Sequence, residues 1–117
     1  VGVTETKAFA KAERKVDFAT QSGPMLVIDG KLHPRFLPKS NSRKVRNGIG
    51  VSADGAEVHF AISQRRVTFW EFGQLFREKL RTPNALFLDG SVSGFRSPRM
   101  RQESWRALGP MISVLPR

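Results

Sequence analysis

The chain has 117 residues, of which 39% are hydrophobic, so it has room for one domain with a modest core. It contains no cysteine, which excludes a disulfide framework, a thiolate nucleophile and a cysteine-ligated metal. Its 20 Lys and Arg against 10 Asp and Glu give a net charge of +10, which favours an anionic partner. Because no apolar run has the length of a bilayer, we expect no membrane span.

The first third of the chain is predicted to form a short helix followed by strands. Residues 4–12 combine alanines with charged residues, as is typical of a short helix. Residues 16–20 alternate apolar and polar side chains, which predicts a half-buried strand. The apolar run at 25–28 predicts a second strand. The Asp-Gly pair at 29–30 then predicts a tight hairpin turn into a partner strand at 31–33.

The middle of the chain is predicted to contain an exposed loop and a second hairpin. Residues 34–44 include two prolines, serines and basic residues, which disfavour both a helix and a strand ladder. The segments at 48–52 and 57–63 flank Asp54 and Gly55, a pair that favours a hairpin turn.

One principal amphipathic helix is predicted after residue 67. Thr68 and Glu71 have the spacing of a capping box, in which each side chain bonds the backbone amide of the other residue. Apolar side chains then recur at spacings of three and four, at Phe69, Phe72, Leu75, Phe76 and Leu80. This face should pack on a sheet. The fold class we expect is therefore α+β, a mostly antiparallel sheet with this helix packed across it.

A second apolar run, at 85–88, predicts a buried strand that ends at Asp89. Gly90 and the hydroxyls of Ser91 and Ser93 follow, so the scaffold presents an acid beside a small polar turn. The alternative is that the Asp-Gly pair only makes the turn. A loop rich in Ser, Gly, Pro and Arg comes next, and residues 111–115 predict a final strand.

Three segments, 22–30, 46–51 and 86–93, resemble in this order and spacing the phosphodiester glycosidase family. The family includes the lysosomal uncovering enzyme and many exported bacterial proteins. The resemblance extends from about residue 16 to residue 115. The family domain is about twice as long and carries an upstream Asn-Gly-Gly segment that is absent here. We therefore expect residues 1–117 to form a single domain that is the C-terminal part of a longer one.

The resemblance implies a hydrolase that acts on a sugar-1-phosphodiester or a related anionic cell-envelope glycan, in a periplasmic or secreted protein. It places the catalytic carboxylate at Asp89, as a general acid or base or as a group that orients one. Substrate-binding positions are Arg46, Asn47, Ser91, Ser93, Ser22 and Gln21. No metal or cofactor is expected.

Arg46 is the best candidate for the phosphate, because a guanidinium donates two parallel hydrogen bonds to an anion and the glycines after it admit a close backbone approach. Arg43 and Lys44 are the next candidates. The alternative for Arg46 is a surface salt bridge at the start of a strand. Asp29, a possible second acid, is better explained as a hairpin residue.

Two non-enzymatic functions compete with this interpretation. The basic stretches 39–46 and 96–106, with Arg65 and Arg66, could bind nucleic acid or another polyanion. Most aromatic rings fall on predicted core faces, however, and only Phe95 and Trp105 lie in basic, loop-like sequence. The third possibility is an inactive fragment whose exposed strand edges pair with another chain, including a second copy.

Overall fold

The computed structural model describes residues 1–90, 92–103, 107–109 and 111–115. In chain order, the helices and strands are α1 (Thr6–Lys11), β1 (Met25–Ile28), β2 (Lys31–Leu32), β3 (Asn47–Val51), β4 (Val58–Ile62), α2 (Phe69–Gln74), β5 (Asn84–Asp89), β6 (Phe95–Arg96) and β7 (Arg101–Gln102). A π-helical segment, Leu75–Lys79, continues α2. No helix in the described ranges combines the length and apolar composition needed to cross a bilayer.

Five strands form one sheet in the order β2-β1-β5-β3-β4, and each neighbouring pair is antiparallel. A separate two-stranded ribbon joins β6 to β7. The apolar run around Ala85 therefore becomes the central strand, with a neighbour on each side. This architecture confirms the predicted α+β class, with a mostly antiparallel sheet and one principal helix.

Both predicted hairpins form, and their turns have the backbone that the sequence requires. Asp29 and Gly30 have φ values of 47° and 77°, the left-handed conformation that a two-residue turn needs at both central positions. Gly55 has a φ of 73° in the turn between β3 and β4. Asp29 is thus a turn residue, as its neighbour Gly30 predicts.

The predicted capping box opens α2. The Thr68 hydroxyl accepts from the Glu71 amide at 3.1 Å, and the Glu71 carboxylate accepts from the Thr68 amide at 2.8 Å. Phe72 and Phe76 are 3% and 0% exposed and pack with Leu26, Val27 and Ala85 as the core. The three other apolar positions, Phe69, Leu75 and Leu80, are partly buried around it. The apolar face of the helix is therefore confirmed.

Two glycines of β3 let the helix lie close to the sheet. A Cβ atom on Gly48 would lie 2.8 Å from the Leu86 carbonyl oxygen and 3.2 Å from the Phe72 ring. A Cβ on Gly50 would lie 2.6 Å from the Thr82 hydroxyl and 2.7 Å from the Phe76 ring. The sequence interpretation gave these glycines a different purpose, the approach of a phosphate. In the structure they make room for the side chains of Phe72, Phe76 and Thr82.

Two predicted strands are wrong. Residues 16–20 are exposed and form no strand, and residues 111–115 are also exposed without a strand. A short alternating or apolar pattern becomes a strand only where a neighbouring strand completes its hydrogen bonds, and neither segment has such a neighbour among the described residues. Conversely, the loop predicted between Asp89 and residue 111 contains the β6–β7 ribbon.

Candidate active site

β5 ends beside the start of β3, and this junction positions Asp89. Asn47 and Asp89 are register partners, and the Asp89 amide donates to Asn47 Oδ1 at 2.7 Å. The Asp89 side chain is exposed, and its carboxylate accepts from the Gly90 amide. Asn47 therefore fixes the backbone at the end of β5, while Asp89 presents a carboxylate to solvent.

Arg46 precedes β3 and is only 2% exposed. Its Nε donates to the Val67 carbonyl oxygen at 3.0 Å, and its Nη2 donates to the Ser42 carbonyl oxygen at 3.1 Å. The guanidinium carbon lies 3.5 Å from the centroid of the Phe69 ring, a cation–π contact. A partly buried aromatic ring and two backbone carbonyls thus hold this side chain in place.

The charge of Arg46 has no carboxylate partner within 4 Å in the part of the chain that the structure describes. The surface salt bridge that was the alternative explanation for Arg46 is therefore absent among the described residues. A guanidinium has five N–H donors, and the two bonds to carbonyls leave three of them free of protein acceptors among the described residues. Burial lowers the pKa of Arg46 from its ordinary value, yet arginine keeps its charge at physiological pH. An anion is the natural ligand of such a group.

Arg46 and Asp89 line the same concavity, which has a volume of about 310 Å³. The remaining lining residues are Ser42, Lys44, Phe69, Phe87, Gly90 and Val92. Its volume is near the lower end of small-molecule sites, about 300 Å³. A cation, a carboxylate and two aromatic rings therefore share one opening on the sheet rim.

Two of the predicted substrate-binding residues, Ser22 and Gln21, do not line this concavity. The Ser22 hydroxyl lies 2.8 Å and 2.9 Å from the carbonyl oxygens of Phe87 and Leu88, so it bonds the backbone of β5. Gln21 is exposed and donates from Nε2 to the Thr6 hydroxyl at 3.1 Å. In the structure these two residues contact the scaffold.

Two seryl hydroxyls were predicted on the loop after β5. The Ser93 hydroxyl donates to the Gly90 carbonyl oxygen at 3.2 Å, within the loop itself. Ser91 lies outside the described residues. Among the next candidates for the phosphate, Arg43 pairs with Glu71 at 2.8 Å, whereas Lys44 lines the concavity.

Comparison with known proteins shows the family. The family model for phosphodiester glycosidases matches residues 2–96. The chain belongs to the phosphodiester glycosidase family. The match begins and ends earlier than the range of 16–115 expected from the motifs, and it includes Arg46, Asp89 and β6.

A curated member of similar sequence is Uncharacterized protein YigE of Escherichia coli (strain K12). The two are 40% identical over 93 residues, which are 80% of this chain and 36% of YigE. The chain therefore spans little more than a third of the length of this relative. No solved structure matches the chain.

Sequence reasoning missed the aromatic part of this candidate site. Phe69 was assigned to the core face, and it lies at the edge of the core, stacked on Phe36 with centroids 4.9 Å apart and planes 8° apart. Phe87 meets Phe69 edge-on at 5.0 Å. The sequence did contain a signal for this role. Phe69 directly follows the helix cap, and a core-facing side chain at the start of the helix also reaches the rim of the sheet.

Groups that could hold a metal are sparse near the site. Within the described ranges, no cluster of three His, Asp or Glu side chains is placed to hold a metal ion. Of the acids near the concavity, Glu71 is engaged by Thr68 and Arg43, which leaves Asp89 as the carboxylate that lines it.

Proposed function

We propose that this chain supplies part of the substrate site of a hydrolase that cleaves a sugar-1-phosphodiester or a related anionic cell-envelope glycan. The observation that carries the proposal is the buried Arg46 guanidinium, which lacks a carboxylate partner among the described residues and shares a concavity with Asp89. Membership of the phosphodiester glycosidase family supports the same reaction class.

In this proposal Arg46 binds the phosphate through its remaining N–H donors. Its orientation is set before the substrate arrives, because Val67, Ser42 and the Phe69 ring already hold it. A preorganised donor of this kind stabilises an anion without reorganisation during the reaction. Phe87 and Phe69 form the aromatic part of the concavity's lining, and Phe69 holds the Arg46 guanidinium in place.

Asp89 acts on the water or on the leaving group. Hydrolysis adds water across the bond between sugar and phosphate, so that the sugar leaves with a hydroxyl and the phosphate leaves as a monoester. As a base, Asp89 accepts a proton from the attacking water; as an acid, it returns one to the leaving oxygen. Glycoside chemistry commonly uses two carboxylates. We place the second one in a part of the family domain outside these 117 residues.

The proposal for the whole protein extends beyond this chain, which spans 36% of its curated relative. It includes a periplasmic or secreted location, where a cell-envelope glycan would be met. Association of chains through the outer edges of β2 and β4 also remains a proposal, since these are the terminal strands of the sheet.

The decisive experiment replaces Asp89 by Asn in a protein that contains the full family domain. The amide keeps the volume of the side chain and cannot exchange a proton, so we expect sugar release to fall by at least about 100-fold with the fold retained. Asp54→Asn is the matched control, because Asp54 is an exposed turn acid at the opposite end of β3. Unchanged turnover in Asp89→Asn would refute the role of Asp89.

A second candidate function is polyanion binding without catalysis, favoured by the charge of +10. Nucleic-acid binding of this type should weaken steeply with salt, because counterions are released from the phosphates. A parent protein that releases no sugar and binds nucleic acid tightly at low salt would favour this function.

A further inference from the structure

Two basic loops that are separate in sequence meet beside the concavity. The Lys44 amide donates to the Val67 carbonyl oxygen at 3.1 Å, and the Val67 amide donates to the Lys44 carbonyl oxygen at 2.9 Å. The Ser63 amide also donates to the Arg46 carbonyl oxygen at 2.8 Å. Residues 64–66 are therefore held at both ends against the segment that carries Arg46.

Arg65 and Arg66 are exposed on this tethered loop. Each lies within two residues of Ser63 or Val67, so its Cα is at most about 8 Å from a residue bonded to the Arg46 segment. We call Lys44, Arg65 and Arg66 the basic rim. None of the three has a carboxylate within 4 Å in the described part of the chain.

The basic rim extends the positive charge of the site beyond what one phosphate needs. Arg46 alone retains enough donors for one phosphate, and Lys44 lines the same concavity. Exposed charges act on an anion within a Debye length of about 8 Å at physiological salt. An anion bound at Arg46 would leave the guanidinium groups of Arg65 and Arg66 available to a neighbouring anion of the same ligand.

We propose that the basic rim is a second anion subsite and that the ligand is a polymer with repeated phosphodiesters, rather than a molecule with a single phosphate. This inference rests on the proposed function only in taking the Arg46 concavity as the phosphate site. Adjacent phosphodiesters of one chain then occupy Arg46 and the basic rim together. Such a polymer binds more tightly than a single phosphodiester because its binding groups are linked in one molecule.

The packing of the aromatic rings favours a phosphoglycan or polyol phosphate over nucleic acid. Single-stranded nucleic acid binds by stacking bases on free ring faces. Beside this site, Phe69 is covered by Phe36 on one side and by the Arg46 guanidinium at 3.5 Å. Phe87 abuts Phe69 edge-on. The rings of this site therefore serve to hold Arg46 and to close the core.

The test measures binding to the 117-residue chain by titration calorimetry with two probes. One probe is glycerol phosphate methyl ester, which has a single phosphodiester, and the other is an oligomer of glycerol phosphate, with concentrations expressed per phosphodiester. We expect the oligomer to bind more tightly on this scale. In Arg65→Gln/Arg66→Gln the oligomer should lose about threefold to tenfold in affinity, since each exposed charge contributes little alone, while the single phosphodiester binds as before.

The matched control is Lys31→Gln/Lys79→Gln, which removes the same charge elsewhere. Lys31 follows the turn at 29–30, where the Asp29 amide donates to Asn84 Oδ1 at the start of β5, the end opposite Asp89. Lys79 is exposed at the end of the π-helical segment, far along the chain from the cap beside Arg46. This control should keep the affinity of the parent for both probes.

Three results would overturn the second subsite. They are no tighter binding of the oligomer per phosphodiester in the parent, an equal loss in the control, and tighter binding of a single-stranded oligonucleotide of equal charge than of the oligomer. The last result would assign the basic rim to nucleic acid. Failure of sugar release in the turnover experiment would instead refute the hydrolase and leave a positive binding result standing, so the two proposals fail separately.

Discussion

The two ends of the β3–β5 pair are built from similar residue types but differ in how their polar groups are satisfied. At the turn end, β3 finishes at Val51 and β5 begins at Asn84; at the site end, β3 begins at Asn47 and β5 finishes at Asp89. Six residues of β5 separate the ends by roughly 17 Å at the usual rise of a strand.

At the turn end, the polar groups bond one another. The Asp54 carboxylate accepts from the Ser52 hydroxyl and from the Ala56 amide at 3.0 Å. These hydrogen bonds, first that of Ser52, lower the pKa of Asp54. The Ser52 hydroxyl also accepts from the Glu57 amide at 2.9 Å. Nothing in this turn calls for a ligand.

At the site end, Arg46 is buried with N–H donors to spare, and Asp89 presents its carboxylate to solvent. Because Arg46 lines the concavity and keeps spare N–H donors, it is at this end that we propose a ligand binds. Concavity volume does not distinguish the ends, because the turn end has one of about 270 Å³ and the site end one of about 310 Å³. The chemistry of the lining residues does.

The largest expected effect is a loss of stability that involves both ends of the β3–β5 pair together. Phe72→Ala should lower the free energy of unfolding by about 3–5 kcal/mol, since Phe72 is 3% exposed in the core beneath Gly48. Urea denaturation of the chain measures it. Phe18→Ala is the control, because Phe18 is 95% exposed, and its effect should stay within about 0.5 kcal/mol. A Phe72→Ala loss below about 1 kcal/mol would mean that the helix face is wrongly assigned.

A smaller effect should fall on the site end alone. Thr68→Ala removes the cap of α2 and should cost about 0.5–2 kcal/mol, while Thr68→Ser keeps the hydroxyl and most of the stability. Because Val67 and Phe69 both hold Arg46, Thr68→Ala should also weaken binding of glycerol phosphate methyl ester in calorimetry. The turn-end counterpart, Ser52→Ala, should leave that affinity unchanged. Equal weakening by both variants would remove the distinction between the ends.

The smallest effect concerns pH and separates two carboxylates. The pKa of Glu71 is lowered first by the hydrogen bond from the Thr68 amide and then by Arg43. A carboxylate with a depressed folded pKa stabilises the protein above its unfolded pKa, near 4.5, and this stabilisation is lost as pH falls through the folded value. The pKa of Asp54 is likewise lowered, from 3.8, so the stabilisation by Asp54 is also lost as pH falls. Denaturation midpoints from about pH 7 to about pH 3 should therefore fall less steeply in Glu71→Gln and in Asp54→Asn than in the parent.

Salt distinguishes these two acids. Part of the Glu71 shift is Coulombic attraction to Arg43, an exposed pair that salt screens, whereas hydrogen bonds within the turn lower the pKa of Asp54. High salt should reduce the part of the pH dependence of stability that Glu71 contributes. It should leave the part that Asp54 contributes unchanged. The same salt response in both variants would show that the two acids are stabilised alike.

The two central residues of the candidate site could be proposed from the sequence, because each lies next to a strong local signal. Asp89 follows an apolar run that forms β5, and Arg46 precedes the glycines of β3. The role of those glycines was misjudged, since nothing local reveals that Phe72 and Phe76 pack against them. The β6–β7 ribbon was missed for a similar reason, because a two-residue strand has too short a pattern to detect.

By itself, the sequence determined the elements whose stabilising contacts are local. The Thr68 capping box, the spacing of apolar residues along the helix and the turn at 29–30 each depend on residues a few positions apart. The tertiary structure alone decided that Arg46 is buried over Phe69 and that the loop at 64–66 lies beside Lys44. These contacts join residues about twenty positions apart, and so they form only when the whole sheet brings the segments together.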